Sequence, residues 1–249
     1  FGTVGYQVGS GFFWHAPGPC TCGDDTAWFA AMSGLDTLQQ QLARIIPGAR
    51  LEPLRPPDCA EIELLLLNAD YPQGQLGAQQ VQYIMDNPLY WAFCWASGQV
   101  LARHLLDNPG LVAGQRVLDF GCGSGVGAIA ARLAGAAEVI ACDIDAQALA
   151  ATGLNARRNG VELSLAGDFD TVTGALDVIL VADVLYDRAN LDWLDRFAAR
   201  ARRVLIADSR VKDFAHPAFS PVGRCDSCTI PDLDESAEFR DVRLYLADG

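Results

Sequence analysis

The chain has 249 residues, 51% of them hydrophobic, enough to bury one sizeable core with an N-terminal extension and no metal or disulfide staple. A net charge of −13 repels a phosphate backbone, so the composition argues against a nucleic-acid partner and leaves a cationic one open. No uninterrupted apolar run reaches the ~18 residues of a membrane-spanning helix, which argues against a membrane partner as well.

Residues 1–31 are rich in Gly, Pro and aromatics, show no periodicity and lack the basic start and apolar run of a signal peptide. They are read as an irregular segment that need not be native, with Met32 as a candidate initiator. Residues 32–96 read as an N-terminal extension that helps cover substrate and cofactor. Leu35, Leu38, Leu42, Ile45 and Ile46 predict a helix from Leu35 to Ile46, with Ser33 and Asp36 set out as a capping box and Pro47-Gly48 ending it. Leu51–Pro57 reads as irregular or an edge strand, Glu61–Leu67 as a short strand, and Gln79–Met85 as a weak helix. A stronger helix is predicted from Ser97 to Leu106, stopping before Pro109.

From Arg116 the pattern alternates strand and helix. Val117–Phe120, Glu138–Cys142, Val161–Ala166, Val178–Ala182 and Val204–Ala207 predict five strands. The intervening helices are marked by Val126, Ile129 and Leu133, by an Ala-rich stretch stopped at Asn159-Gly160, and by Leu191, Leu194 and Phe197. Such alternation predicts an α/β fold with a parallel sheet and helices on both faces, here within a domain spanning 97–249. The tail differs: strands near Phe219–Ile230 and Val242–Leu246 read as antiparallel.

The eight cysteines are scattered, which predicts a reducing, cytoplasmic setting rather than a disulfide framework. Cys20, Cys22, Cys225 and Cys228 would make four thiolates for zinc, but the pairs lie at opposite ends of the chain and the first has a one-residue gap, so no metal site is assigned. His15, His104 and His216 are given no chemical role, and no partner for His216 is visible.

The chemistry concentrates in Val117-Leu118-Asp119-Phe120-Gly121-Cys122-Gly123-Ser124-Gly125, a strand running into a glycine loop that opens a helix. Gly121, Gly123 and Gly125 let the chain turn sharply and let a ligand approach the backbone. The loop alone would also pass as a dinucleotide fingerprint. Asp119 discriminates: a carboxylate at the strand end repels a pyrophosphate but holds a ligand with an amino-acid moiety and a sulfonium charge. Asp143, which directly follows the second strand, is the candidate for ribose hydroxyls; Asp145 is assigned to capping the next helix. Asp168 after the third strand is the candidate for an adenine contact, with an ordinary turn role as the alternative.

This pattern of two apolar residues, Asp and spaced glycines is similar to the signature of Rossmann-like methyltransferases. With Tyr90-Trp91-Ala92-Phe93-Cys94-Trp95-Ala96-Ser97-Gly98-Gln99 before it and Ala182-Asp183-Val184-Leu185-Tyr186-Asp187 after it, the layout resembles the seven-strand protein lysine N-methyltransferases. The branch acting on the β-subunit of electron-transfer flavoprotein, with its bacterial relatives, is the nearest. The resemblance spans roughly Asn87 to Ala207. It implies a Rossmann-like methyltransferase fold, with a mostly parallel seven-stranded sheet, an antiparallel C-terminal strand and a small N-terminal α/β extension. It implies S-adenosyl-L-methionine as cofactor and a protein lysine as substrate, on the flavoprotein β-subunit as one option. Trp95 matches a tryptophan that packs near the cofactor, and Asp183 and Tyr186 match an Asp-x-x-Tyr motif beside the reacting methyl group. Ala96 and Ser209 depart from prolines of the pattern. A small nicotinamide-like amine as substrate, and a cofactor-binding module without catalysis, stay open as alternatives.

Overall fold

The computed structural model describes residues 34–71, 89–185, 188–211, 215–232 and 236–249. Seven strands form one sheet: β3 (Arg116–Phe120), β4 (Glu138–Cys142), β5 (Ser164–Ala166), β6 (Leu176–Ala182), β7 (Ala201–Asp208), β8 (Ser220–Asp226) and β9 (Asp241–Asp248). Their order is β5-β4-β3-β6-β7-β9-β8. The first five are parallel, and β9 runs antiparallel to both β7 and β8. This is the mostly parallel α/β sheet expected from the sequence, with its antiparallel C-terminal strand.

Side-chain alternation sorts the central strands into two packed layers. Val117, Val178, Leu180, Leu205 and Ala207 join one core with α2 (Ala96–Asp107) and α3 (Val126–Leu133). Leu118, Phe120, Ile179, Val181, Val204 and Ile206 join the other, where α5 (Trp193–Arg200) contributes Leu194 and Phe197. Covered on both faces, β6 has no polar side and reads as one apolar run after Asp177. Each fully buried aliphatic side chain there stabilises the fold by about 1.5–3 kcal/mol.

The N-terminal part packs on the outside of α4 (Ala146–Arg158). Helix α1 (Leu35–Ile45) buries Leu38, Leu42 and Ile45 in a cluster with Ala148 and Ala151. Strands β1 (Leu51–Leu54) and β2 (Leu64–Leu67) form a two-stranded antiparallel ribbon. Asn155 accepts the N–H of Leu65 at 2.8 Å, and Asn159 bonds both Glu63 backbone groups, tying this ribbon to α4.

Several expectations shift at their edges. The N-cap of α1 is Gly34, without a side-chain cap bond, which corrects the capping box built on Ser33; Ser33 itself lies outside the described residues. Ile46 is already extended and closes the helix by donating to the Leu42 carbonyl. The strand predicted from Glu61 begins at Leu64, because Ile62 donates to the Cys59 carbonyl in a turn. Val161 likewise closes a turn on Ala156, so β5 starts at Ser164. Leu191 falls in a 3-10 turn (Arg188–Asp192) ahead of α5. The helix predicted near Gln79–Met85 lies outside the described residues, as do Cys20 and Cys22.

Candidate functional site

Around β3 the chain order reverses, with β4 and β5 on one side and β6 and β7 on the other. Open α/β sheets bind ligands beyond the carboxyl ends of the strands at such a reversal. A cleft lies there, lined by Trp95, Asp119, Gly121, Gly123, Val126 and Ala182 among others.

Asp119 is only 3% exposed, and its Oδ2 accepts the Ala128 N–H at 2.8 Å. Gly127 makes room for it, since a Cβ on that residue would stand 3.1 Å from both carboxylate oxygens. Burial, reinforced by the nearby Asp143 charge, pushes Asp119 up to about 7. Asp143 joins the end of β4 to the glycine loop, accepting Gly123 N–H at 3.0 Å and Asp145 N–H at 2.9 Å. Burial pushes it to about 6, against the pull of those amides. Among the described ion pairs, none involves Asp119 or Asp143. A buried and a half-buried acid, neither in one of those ion pairs, suit a cationic ligand and oppose a diphosphate.

Gly121 and Gly123 face the cleft, with φ of 70° and 51°. Gly125, at φ 84°, is turned the other way: a Cβ there would lie 2.9 Å from the Thr152 side chain. From α4, Thr152 Oγ1 donates to the Gly123 carbonyl at 3.1 Å and Asn155 Nδ2 to the Ser124 carbonyl at 2.8 Å. Asn155 therefore joins the glycine loop to β2, a role without any motif to announce it. Asp145 caps α4 by accepting Gln147 N–H, as assigned from the sequence. Asp168 is exposed and accepts Asp170 N–H at 2.9 Å, the turn role held as its alternative. Trp95, at the N-cap of α2, lines the cleft and donates its indole N–H to the Tyr90 carbonyl at 2.9 Å.

Asp183 follows β6 directly and has φ 51°, the one positive value among the described non-glycine residues. Such a conformation costs about 1–3 kcal/mol and persists where the surroundings over-determine it. Here Oδ1 accepts the hydroxyls of Ser97 (2.7 Å) and Ser209 (2.8 Å) and the Ser209 N–H (3.2 Å), while Oδ2 accepts the Ser97 N–H at 3.3 Å. The aspartate thus also caps the N-terminus of α2, whose own N-cap, Trp95, makes no side-chain cap bond. Behind it Asp208, fully buried, accepts the N–H groups of Leu185, Arg210 and Val211. Burial and the neighbouring Asp183 charge raise Asp208 to about 6. Neither Ser97 nor Asp208 stands out in the sequence, and Ser209 did so only as a departure from the family pattern. Tyr186 lies outside the described residues. His216, given no partner from the sequence, meets Asp195 at 3.0 Å.

A family model described as ribosomal protein L11 methyltransferase matches residues 101–205. The electron transfer flavoprotein beta subunit lysine methyltransferase of Xenopus laevis is 39% identical over 178 residues, covering 68% of this chain and 70% of that protein. This chain belongs to that family of lysine methyltransferases. The Danio rerio member is 44% identical over 127 residues, 48% of this chain, and the match spans about half of that relative, 49%. A ribosomal protein L11 methyltransferase of Stenotrophomonas maltophilia is 67% identical over a shorter stretch of 96 residues, 37% of this chain and 31% of that protein. The family-model match begins in α2 and ends in β7, so it takes in the whole glycine loop and Asp183, but not β1, β2 or β9.

Proposed function

We propose that this chain is an S-adenosylmethionine-dependent methyltransferase acting on a lysine side chain of a protein. The electron-transfer flavoprotein β-subunit, named in its relatives, is the first substrate to test. The observation that carries the reading is that Asp119 in β3 and Asp143 after β4, acids without an ion-pair partner among the described ones, stand in the same sheet as Asp183, held by four hydrogen bonds at the end of the neighbouring β6. Asp119 would meet the cationic amino-acid end of the cofactor, Asp143 its ribose, and the glycine loop its close approach to the main chain. Asp168 and Trp95 would flank it at the adenine and methyl ends. A net charge of −13 fits a basic protein surface better than a phosphate backbone. The described cysteines are free thiols, which supports a cytoplasmic setting.

When bound, S-adenosylmethionine supplies a methyl carbon already activated by its sulfonium. The chain's task is then to present a neutral amine in line. A free lysine has a pKa of ~10.4, so stripping its proton at pH 7 costs about 4–5 kcal/mol. The Trp95 side and the apolar wall of Val126 and Ala182 desolvate the amine and lower that cost. Asp183 accepts an N–H of the amine and aligns its lone pair, and the Asp-x-x-Tyr resemblance gives Tyr186 the role of a second wall.

The test is transfer of tritium from labelled S-adenosylmethionine into purified flavoprotein β-subunit and into an extract of cells lacking the gene, resolved on a denaturing gel. A labelled β-subunit band that falls about 100-fold with Asp183→Asn, while cofactor affinity holds within about twofold, is the expected outcome. The 67% identity to an L11 methyltransferase favours ribosomal protein L11 as the second reading, and a labelled band at the mass of L11 selects it. Label confined to small molecules, or undiminished turnover by Asp183→Asn, overturns the proposal.

A further inference from the structure

Asp183 is met by two buried hydroxyls that the reaction as outlined does not use. Ser97 is fully buried in the first turn of α2, and Ser209 is nearly so, just beyond β7. They come from segments 86 and 26 residues away from Asp183, yet both donate to the same oxygen, Oδ1. With the Ser209 N–H added, Oδ1 takes three donors, whereas Oδ2 has one amide at 3.3 Å.

We propose that Ser97 and Ser209 are positioning residues for methyl transfer, saturating Asp183 Oδ1 so that Oδ2 alone is left to receive the substrate amine. The proposal rests on the acceptor role given to Asp183 above. A carboxylate on a short side chain can rotate about its terminal torsion, which is broad and roughly two-fold. Two hydroxyls converging on one oxygen remove that freedom. They also stabilise a backbone conformation that few side chains adopt, so the acceptor points one way before any substrate arrives.

The experiment compares Ser97→Ala, Ser209→Ala, their double variant and Ser209→Thr, each as full-length protein. Turnover is measured with labelled S-adenosylmethionine and purified flavoprotein β-subunit, cofactor affinity by titration, and the double variant by crystallography. Expected is a fall in kcat of about tenfold for each alanine and more for the pair, with cofactor Kd within about twofold, kcat restored in Ser209→Thr, and the Asp183 carboxylate rotated in the crystal. Turnover unchanged in the double variant overturns the proposal. So does a loss that follows cofactor affinity and melting temperature in step, or an Asp183 carboxylate that keeps its place without the hydroxyls. Asp183→Asn at full turnover instead removes the acceptor reading itself, which separates that failure from a failure of the serine assignment.

Discussion

In β3 and just after β4, the carboxylates of Asp119 and Asp143 are held by backbone amides: Ala128 at the start of α3 for the first, Gly123 of the glycine loop and Asp145 for the second. At the end of β6, Asp183 is held by hydroxyls as well as amides, brought from α2 and from beyond β7. The first arrangement depends on the path of the chain and the second on which side chains meet. Substitutions should therefore act differently on the two sides: through backbone geometry and stability at the cofactor end, through turnover at the acceptor end.

The largest stability effect expected from the cofactor side comes from Asn155→Leu. It leaves the buried Leu65 N–H and the Ser124 carbonyl without their partner, and should cost about 3 kcal/mol in chemical denaturation, with weaker cofactor binding. Gly125→Ala should cost about 2 kcal/mol, from a left-handed φ and a Cβ driven into Thr152, with a matching fall in cofactor affinity. If either change lowers kcat while leaving stability and affinity alone, the contrast between the two sides breaks down.

The pH dependence tests the cofactor side in another way. Asp119 and Asp143 ionise less readily folded, at about 7 and about 6, than in an unfolded chain, near 3.8. The native state keeps their protons where the unfolded chain has lost them. The ligand-free protein should therefore be stabilised at low pH and lose stability as pH rises from about 4 to about 7, by up to about 1.4 kcal/mol per pH unit for each ionising group. Denaturation at a series of pH values, with Asp119→Asn flattening the upper part, measures this contribution. A cationic ligand favours the ionised form, so its affinity should rise over the same interval. Thr152→Val is the smallest change, about 1 kcal/mol for one hydroxyl bond to the Gly123 carbonyl.

The same contrast explains what could be read in advance. Asp119 and the glycines are written in one continuous stretch, and Asp143 directly follows the next strand, because local backbone geometry imposes residue type at these strand ends. The central strands β3 and β6 were legible for a related reason: covered on both faces, they read as nearly unbroken apolar runs. Strand ends were less so, since Ile62 and Val161 are apolar residues used to close turns rather than to extend a ladder. Ser97, Ser209 and Asn155 carry no local signature. Their importance comes from tertiary meetings between segments far apart in sequence, and a hydroxyl or amide reads as ordinary until its partner is placed.

The apolar cluster shared by α1, the β1–β2 ribbon and α4 bears on how the molecule can be cut. Leu38, Leu42 and Leu67 shield Ala148 and Ala151, residues that belong to the methyltransferase half by pattern. A fragment starting at residue 97 would expose that face of α4 to water and leave Asn155 and Asn159 without the ribbon backbone they bind. Such a truncation should aggregate on expression, so the change of sequence rhythm near residue 97 marks a boundary of pattern but a poor site for a shortened, soluble fragment.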